Sequence, residues 1–303
     1  MTPAVFDRRT VRQHRDRAAT RLSEHDFLFR EVAQRLAERL DDVNRTFRVA
    51  LELGAHGDVL AESIAGRNGI EQLVRCDQSA RMLTGGPAPC VVADEDWLPY
   101  APNSFDLIVS SLSLHWVNDL PGALIQIRRA LKPDGLFIGA LFGRATLAEL
   151  REVLLEAELA ECGGAGLRVS PFVDVRDAGG LLQRAGFALP VVDSDTITVS
   201  YSSALDLMRD VRGMGESNAV AERRRSFTRR STLLRAAAIY ADRYADEEHR
   251  IPATFQVVTL TGWAPHDTQP RPLRPGSAVH RLSEALGTAE LSGGEKAGPG
   301  RSH

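Results

Sequence analysis

Cysteine is scarce in this chain of 303 residues, and the spacing of its three cysteines fits neither a disulfide framework nor a zinc site. We interpret Cys76, Cys90 and Cys162 as reduced thiols. No apolar run is long enough to span a bilayer, and the polar, arginine-rich start contains no apolar signal segment. These absences exclude a secreted disulfide scaffold and a membrane-spanning protein, and they predict a cytoplasmic location.

Lysine is almost absent, since only Lys132 and Lys296 occur, and arginine supplies the remaining positive charge. The net charge of −3 argues against a general attraction to nucleic acid, so no nucleic-acid partner is predicted. Arginines cluster at 8–21 and at 223–230, where solvated helix faces are the simpler interpretation. An acidic partner or a peripheral association with a membrane surface is the alternative that these clusters leave open.

The stretch from residue 105 to residue 142 has the pattern of a strand, a helix and a second strand. Its first apolar run shows no alternation, as expected for a strand that is covered on both faces. Asp119 and Pro121 then begin an amphipathic helix, because Asp caps free N–H groups and Pro fits the first turn. Lys132–Gly135 end that helix, and a second apolar strand follows.

Strands and helices alternate along most of the chain, which predicts an α/β fold with a mostly parallel sheet and helices on both faces. Thr146 and Glu149 predict a capping box at the start of one of these helices. The predicted segments are a basic N-terminal segment and helix that form a lid (1–45), an α/β core (46–202), a helical insertion (203–250), the last core strand (251–264) and a Pro/Gly-rich tail with a disordered end (265–303).

Acidic residues end three successive predicted strands, at Glu52, Asp77 and Asp94. Asp77 lies about 20 residues beyond the turn that follows the first strand, where an acidic side chain can accept both hydroxyls of a ribose. Carboxylates at these positions repel a pyrophosphate and attract a sulfonium, so they favour S-adenosylmethionine (SAM) over NAD. Each acid alone could instead be a helix cap or an ion-pair partner, but together they indicate a cofactor site.

The turn after the first strand is the weak part of this site. Gly54 allows the backbone to approach a ligand closely. His56 and Asp58, however, stand where further glycines are expected, and Gly57 offers only a shifted replacement. Weaker cofactor binding, or another cofactor, therefore remains an alternative.

Eight short motifs carry a resemblance to known proteins. They are ADEDWLP (93–99), SSLSLHWVNDLP (110–121), LKPDG (131–135), SPF (170–172), RAGF (184–187), GMGESN (213–218), PATFQ (252–256) and GSA (276–278). The chain resembles the class I SAM-dependent methyltransferases, and among them the malonyl-carrier-protein methyltransferases. Its last four motifs are not generic to methyltransferases, and with them the chain is most similar to the methyltransferase-fold assembly factors of respiratory complex I.

The resemblance implies a Rossmann-like class I methyltransferase sheet with a helical insertion before the last strand. It also implies a protein substrate, because that assembly-factor family is credited with hydroxylating an arginine of a complex I core subunit. Phe6 and Arg8 would lie in a lid over the cofactor. The residues that carry over as the SAM pocket are Glu52, Gly54, Asp77, Gln78, Asp94 and Glu95.

Ser111, His115 and Trp116 stand where the fourth strand opens toward the expected ligand. We assign Ser111 to the cofactor site and the other two to catalysis: a guanidinium acceptor must lose a proton, for which His115 is the best-placed base, and an arginine can stack on Trp116. The alternative is that His115 caps the next helix and Trp116 packs in the core. His14 and Asp16 offer half of an iron-binding set without an obvious second histidine, so no metal site is predicted.

The Gly213–Asn218 motif has two glycines around Met214, which predicts a mobile loop with one apolar anchor. A plain loop, a lid and a docking loop for a protein are the possible interpretations. We favour a lid or a docking loop, and we assign Met214, Glu216 and Asn218 to contact with the substrate or partner.

Three functions remain open at this level. The first is a SAM-dependent enzyme that modifies a protein side chain during complex I assembly, by methyl transfer or by arginine hydroxylation. The second is a non-catalytic assembly chaperone with bound SAM. The third is a methyltransferase for a small or carrier-bound carboxylic acid. The degenerate glycine turn favours the chaperone, but the retained acids favour an enzyme of the SAM-dependent methyltransferase family, which is our prediction.

Overall fold

The computed structural model describes residues 4–85, 88–164, 166–172, 174–270 and 287–288. Within these ranges seven strands form one sheet in the order β3-β2-β1-β4-β5-β7-β6. The strands are β1 (Val49–Leu53), β2 (Gln72–Asp77), β3 (Cys90–Val92), β4 (Phe105–Ser111), β5 (Leu131–Phe142), β6 (Ala188–Tyr201) and β7 (Ile251–Trp263). Strands β1 to β5 pair in parallel, and β7 runs antiparallel to β5 and β6. The predicted mostly parallel α/β sheet is confirmed.

Eight α-helices flank this sheet in the described part of the chain. They are α1 (Arg8–Ala18), α2 (Phe27–Asp41), α3 (Val59–Ile64), α4 (Leu120–Ala130), α5 (Ala148–Cys162), α6 (Val175–Arg184), α7 (Ala204–Gly213) and α8 (Arg230–Tyr244). As the sequence predicts, Asp119 caps α4 by accepting a hydrogen bond from the backbone of Gly122. Helices α7 and α8 stand between β6 and β7, where the helical insertion is expected.

Apolar side chains of β4 point to both faces of the sheet. Leu107 and Val109 join one buried cluster, which includes residues of α2, α5, α7 and α8. Ile108 joins the other cluster, with residues of α4 and α6. Both faces are therefore covered, which explains why this strand shows no alternation of apolar and polar residues.

Two local expectations are wrong. Leu147, with φ of 53°, is the N-cap residue of α5, and Thr146 donates instead to the backbone carbonyl of Gln256 at 3.0 Å. Glu149 accepts a hydrogen bond from Thr254, so contacts with β7 have replaced the predicted capping box. Strand β5 already begins at Leu131, and residues 132–135 therefore belong to the strand and do not end the helix.

Beyond His266, only residues 267–270 and 287–288 are described. The predicted disorder at the end of the tail lies outside the described residues. None of the described helices has both the length and the apolarity that crossing a membrane would require.

Candidate functional site

The carboxyl ends of the parallel strands form a buried acidic edge. Glu52 in β1, Asp77 at the end of β2 and Glu95 after β3 are all fully buried. Gly54 follows β1 with φ of 78°, and a Cβ atom there would lie 2.0 Å from the hydroxyl of Ser113. Glycine is therefore required at this turn both by the backbone conformation and by the close approach of the next loop.

Arg15 from α1 reaches into this acidic edge. Its Nη1 donates to Asp77 Oδ2 at 2.8 Å and to Glu95 Oε1 at 2.7 Å. Its Nη2 donates to Ser113 Oγ at 2.8 Å, and the guanidinium is completely buried. The acid expected to hold a cofactor ribose thus already holds a guanidinium.

A second arginine, Arg8, caps the same edge from the start of α1. It donates to Asp94 Oδ1 at 2.6 Å, forms an ion pair with Glu95, and donates to the backbone carbonyl of Trp116 at 3.1 Å. The ring of Phe6 packs edge-on against Trp116 with 5.3 Å between centroids. The N-terminal segment therefore covers the strand ends, as expected for Phe6 and Arg8.

The two arginines set the ionisation of the acids that they contact. Burial alone would raise the pKa of Glu95, but Arg15 and Arg8 lower it well below its usual range. Burial raises the pKa of Asp77 against the opposing charge of Arg15, because Asp77 competes with Glu95 for that guanidinium. Glu95 is thus the member of the acidic edge that its arginine partners hold ionised, whereas Asp77 takes up a proton more readily.

Glu52 has a partner of its own within the sheet. Arg75 on the neighbouring strand donates to Glu52 Oε2 at 2.9 Å, and it also contacts Asp58 and the backbone carbonyl of Gly57. Burial raises the pKa of Glu52 to about 7, although Arg75 opposes this shift. Asp58, which stands where a glycine was expected, therefore helps to neutralise the charge of the buried Arg75.

His56 fills the space beside the glycine turn. Its ring stacks on Phe29 with 4.2 Å between centroids, and Nε2 lies 3.0 Å from the carbonyl oxygen of Leu112. The cavity beside it has a volume of about 10 Å³ and is lined by Phe29, Glu52, Gly54, His56, Val59, Leu60 and Ser111. A cavity of this size holds at most one water molecule, so a cofactor needs these side chains to move.

Several buried polar atoms in this region have no hydrogen-bond partner among the residues that the structure describes. They include Glu52 Oε1, Ser111 Oγ and Gln78 Nε2. Buried polar groups are normally paired, because an unmade hydrogen bond costs the desolvation of the group. Free polar atoms next to a glycine turn fit a ligand with hydroxyl and amine groups.

The loop that follows α7 packs onto the residues that follow β4. Glu216 Oε2 lies 2.9 Å from His115 Nε2 and accepts a hydrogen bond from Trp116 Nε1, also at 2.9 Å. The structure thus brings together side chains that the sequence assigned separately to catalysis and to the partner. His115 and Trp116 are both buried, and His115 caps no helix.

The other two assigned residues of this loop have structural contacts. Met214 is fully buried in the apolar cluster that contains Leu107 and Val109, so it cannot serve as a docking anchor on the surface. Asn218 donates to the carbonyl of Leu167 at 2.7 Å and accepts from the backbone of Val220 at 2.9 Å. Only Glu216 of the three faces the candidate catalytic pair.

No group of side chains suited to a metal ion occurs among the described residues. His14 lies 3.1 Å from the carbonyl oxygen of Ser217, and Asp16 accepts from Ser79 at 2.5 Å. The two ends of the His-x-Asp pattern therefore have separate structural partners.

Arg15 and Arg75 are the site residues that sequence reasoning missed. Arg15 shares a helical spacing with Val11 and Ala18, and all three are buried on the same face of α1. An arginine at an apolar position of an amphipathic helix is the signal that could have identified it.

Comparison with known proteins identifies the family of the chain. A family model described as a methyltransferase domain matches residues 51–139. The arginine-hydroxylase NDUFAF5 of Danio rerio is 47% identical over 281 residues, which cover 90% of this chain and 87% of that protein. The Homo sapiens protein of the same name is 44% identical over 287 residues, which cover 92% and 83%.

More distant relatives share the fold. A malonyl-[acyl-carrier protein] O-methyltransferase of Halorhodospira halophila is 36% identical over 274 residues, which cover 88% of this chain and 91% of that protein. The structure of phosphoethanolamine N-methyltransferase 2 of Haemonchus contortus, in complex with SAM, aligns with a TM-score of 0.52 at 15% identity and covers 84% of this chain and 60% of that one.

The sheet order and the acidic strand ends define a protein of the class I SAM-dependent methyltransferase superfamily, and the enzyme family predicted from sequence is confirmed. SAM is the cofactor of this superfamily, as predicted. Within it, the chain belongs to the family of the arginine-hydroxylase NDUFAF5, which confirms the resemblance.

The predicted cytoplasmic location is wrong. The relatives from Danio rerio, Mus musculus and Homo sapiens, at 42–47% identity, are mitochondrial proteins. Scarce cysteine argues against an oxidising compartment, but it does not distinguish one reducing compartment from another.

Proposed function

We propose that this chain binds SAM at the acidic edge and modifies an arginine side chain of a partner protein. Its NDUFAF5 relatives are named arginine-hydroxylases, and the sequence resemblance points to a complex I core subunit as the partner. One observation carries the proposal. Arg8 donates hydrogen bonds both to Asp94 and to the backbone carbonyl of Trp116. The acids predicted to bind the cofactor therefore lie next to the His115–Glu216 pair.

The polar groups of the site fit SAM, although the space is filled. The free atoms of Glu52, Ser111 and Gln78 suit its hydroxyl and amine groups, and Asp77 suits its ribose once Arg15 has left. When bound, SAM supplies a methyl group on an activated sulfonium. Whether the product is a methylated or a hydroxylated arginine is a separate question, which the mass of the product answers.

On the acceptor side, Glu216 fixes the His115 ring through Nε2 and leaves the buried Nδ1 without a partner. In this arrangement Nδ1 is the ring nitrogen that is left to accept a proton from a guanidinium. The rings of Trp116, Phe142 and Phe172 surround His115 within 5.5 Å of its centroid and exclude water.

A second candidate is an assembly chaperone without catalysis. The observation that favours it is the filled cofactor space, in which Arg15 and His56 occupy the positions that a nucleoside needs. A chaperone retains partner binding but leaves the partner chemically unchanged.

Calorimetric titration with SAM tests the cofactor part of the proposal. Asp77→Ala should weaken binding at least about tenfold, because it removes a charged acceptor for the ribose hydroxyls. Asp242→Ala, an exposed position on α8, is the matched control and should bind like the parent. Equal affinities of parent and Asp77→Ala would remove Asp77 from the site.

The reaction is tested by intact-mass analysis of complex I core subunits from cells with and without this protein. A gain of one methyl group or of one oxygen atom identifies the modification. An unchanged mass in every subunit, together with impaired assembly, would instead establish the chaperone.

A further inference from the structure

The acidic edge binds the guanidinium of Arg15 through both of its terminal nitrogens. Two carboxylates and a hydroxyl, from Asp77, Glu95 and Ser113, converge on one guanidinium at 2.7–2.8 Å. Ser113 Oγ also donates to Glu95 Oε1 at 2.7 Å, so the three acceptor groups form one connected cluster. All three residues are fully buried.

This geometry suits a guanidinium better than other cations. A planar fork can direct separate N–H groups at acceptors on different elements, which a compact ammonium cannot do as well. A buried pair of carboxylates is costly without such a partner, since each charge then loses its hydration. The cluster therefore needs positive charge, which α1 supplies from the same chain: Arg15 contacts all three residues, and Arg8 pairs with Glu95 alone among them.

We propose that Asp77, Glu95 and Ser113 form a binding site for alkylguanidinium groups, that Arg15 is its resident ligand, and that SAM enters by displacing Arg15. The last part rests on the proposed function; the guanidinium site does not. Arg15 thereby acts as an internal competitor, and an arginine of another protein belongs to the same chemical class.

Displacement of Arg15 should also affect the position of the loop that contains Glu216, because α1 contacts that loop. Helix α1 also holds residues 213–223, through the contact of His14 with the Ser217 carbonyl and the hydrogen bond from Arg223 to Thr10 at 2.7 Å. Gly215 packs so closely on this helix that a Cβ atom there would lie 3.3 Å from Ala18. Movement of α1 therefore loosens Glu216, so cofactor entry and the His115 side of the site are linked.

Chemical rescue tests the guanidinium site. In Arg15→Ala the vacated site should bind methylguanidine, seen as saturable heat in calorimetry and as a raised melting temperature. Methylamine at the same concentration should give neither effect. The parent and Arg12→Ala, an exposed position on the same helix, should not respond. If Arg15→Ala is unfolded alone, recovery of the folded state by methylguanidine and not by methylamine is the same readout.

Competition with the cofactor is measured on the same variants. Arg15→Ala should bind SAM at least about tenfold more tightly than the parent, and methylguanidine should weaken that binding. In the parent, SAM should speed amide exchange in residues 8–18 and 213–223.

The outcomes separate the two proposals. No response to methylguanidine overturns the guanidinium site. SAM binding that is equal or weaker in Arg15→Ala overturns the competition but leaves the cofactor in place. If methylguanidine binds Arg15→Ala and SAM binds neither protein, the guanidinium site stands, while the competition and the cofactor part of the proposed function both fail.

Discussion

His56 occupies a position where a glycine-rich cofactor turn would leave open space. Its stacking on Phe29 and its contact with Leu112 give the ring a structural role in the absence of ligand. His56 lines the small cavity beside the turn, and Arg15 separately occupies the carboxylate of Asp77. At this scale, affinity for a cofactor depends on two side chains that must move.

Replacement of His56 by glycine should open this space. We expect His56→Gly to bind SAM more tightly than the parent and to lose about 2 kcal/mol of stability, because it removes a packed ring. Calorimetry measures the first effect and urea unfolding the second. His56→Gln, which refills much of the space, is the control; an equal gain in both variants would contradict the steric explanation.

The loop after α7 was expected to present Met214 to a partner, but its packing gives it another role. Met214 lies in the same apolar cluster as Leu207 and Tyr240, while Glu216 turns toward His115. The loop after α7 is thus a buried connection between the helical insertion and the candidate active site.

For this reason Met214→Asp should destabilise the protein and should not act as a specific docking mutation. Burying an unpaired charge at a fully buried position costs about 3–5 kcal/mol, which should lower the melting temperature by many degrees. Leu205→Asp, at an exposed position on α7, is the control and should change it little. A parent-like melting temperature for Met214→Asp would restore the docking interpretation.

Buried ionisable groups couple the stability of the whole molecule to pH. Burial, together with Arg15, lowers the pKa of His56 to about 3, and burial raises the pKa of Glu52 to about 7. The unfolded histidine titrates near 6.5, so the unfolded state takes up this proton first as the pH falls. The contribution of His56 is therefore fully present above about pH 6.5 and is lost as the pH falls toward 3.

Glu52 acts in the opposite sense, since its raised pKa favours the folded state at low pH and this advantage disappears between about pH 4.5 and 7. Comparison of the parent with His56→Gln isolates the histidine. The free energy of unfolding of the parent, relative to that of His56→Gln, should fall by about 3 kcal/mol when the pH is lowered from 7 to 4.5. Urea unfolding at both pH values measures it, and a difference independent of pH would show that His56 is not held neutral.

The sequence alone determined the class of sheet, mostly parallel within an α/β fold, because periodicity and strand-end chemistry are local properties. The apolar runs at 107–109 and 136–142 identified buried parallel strands, and the order of acids at Glu52, Asp77 and Asp94 indicated the site and its cofactor class. Family motifs then identified the relatives, and these predictions needed no knowledge of which distant side chains meet.

Only the tertiary structure decided what fills and surrounds the site. The contact of Arg15 with Asp77 spans 62 positions and that of Glu216 with His115 spans 101, so no local pattern encodes either pair. Burial of Met214 depends on the packing of α7 against the sheet and α8, which a two-glycine loop motif does not reveal. Local sequence patterns thus identified the acidic residues at the strand ends, whereas long-range packing decided that the guanidinium of Arg15 contacts them.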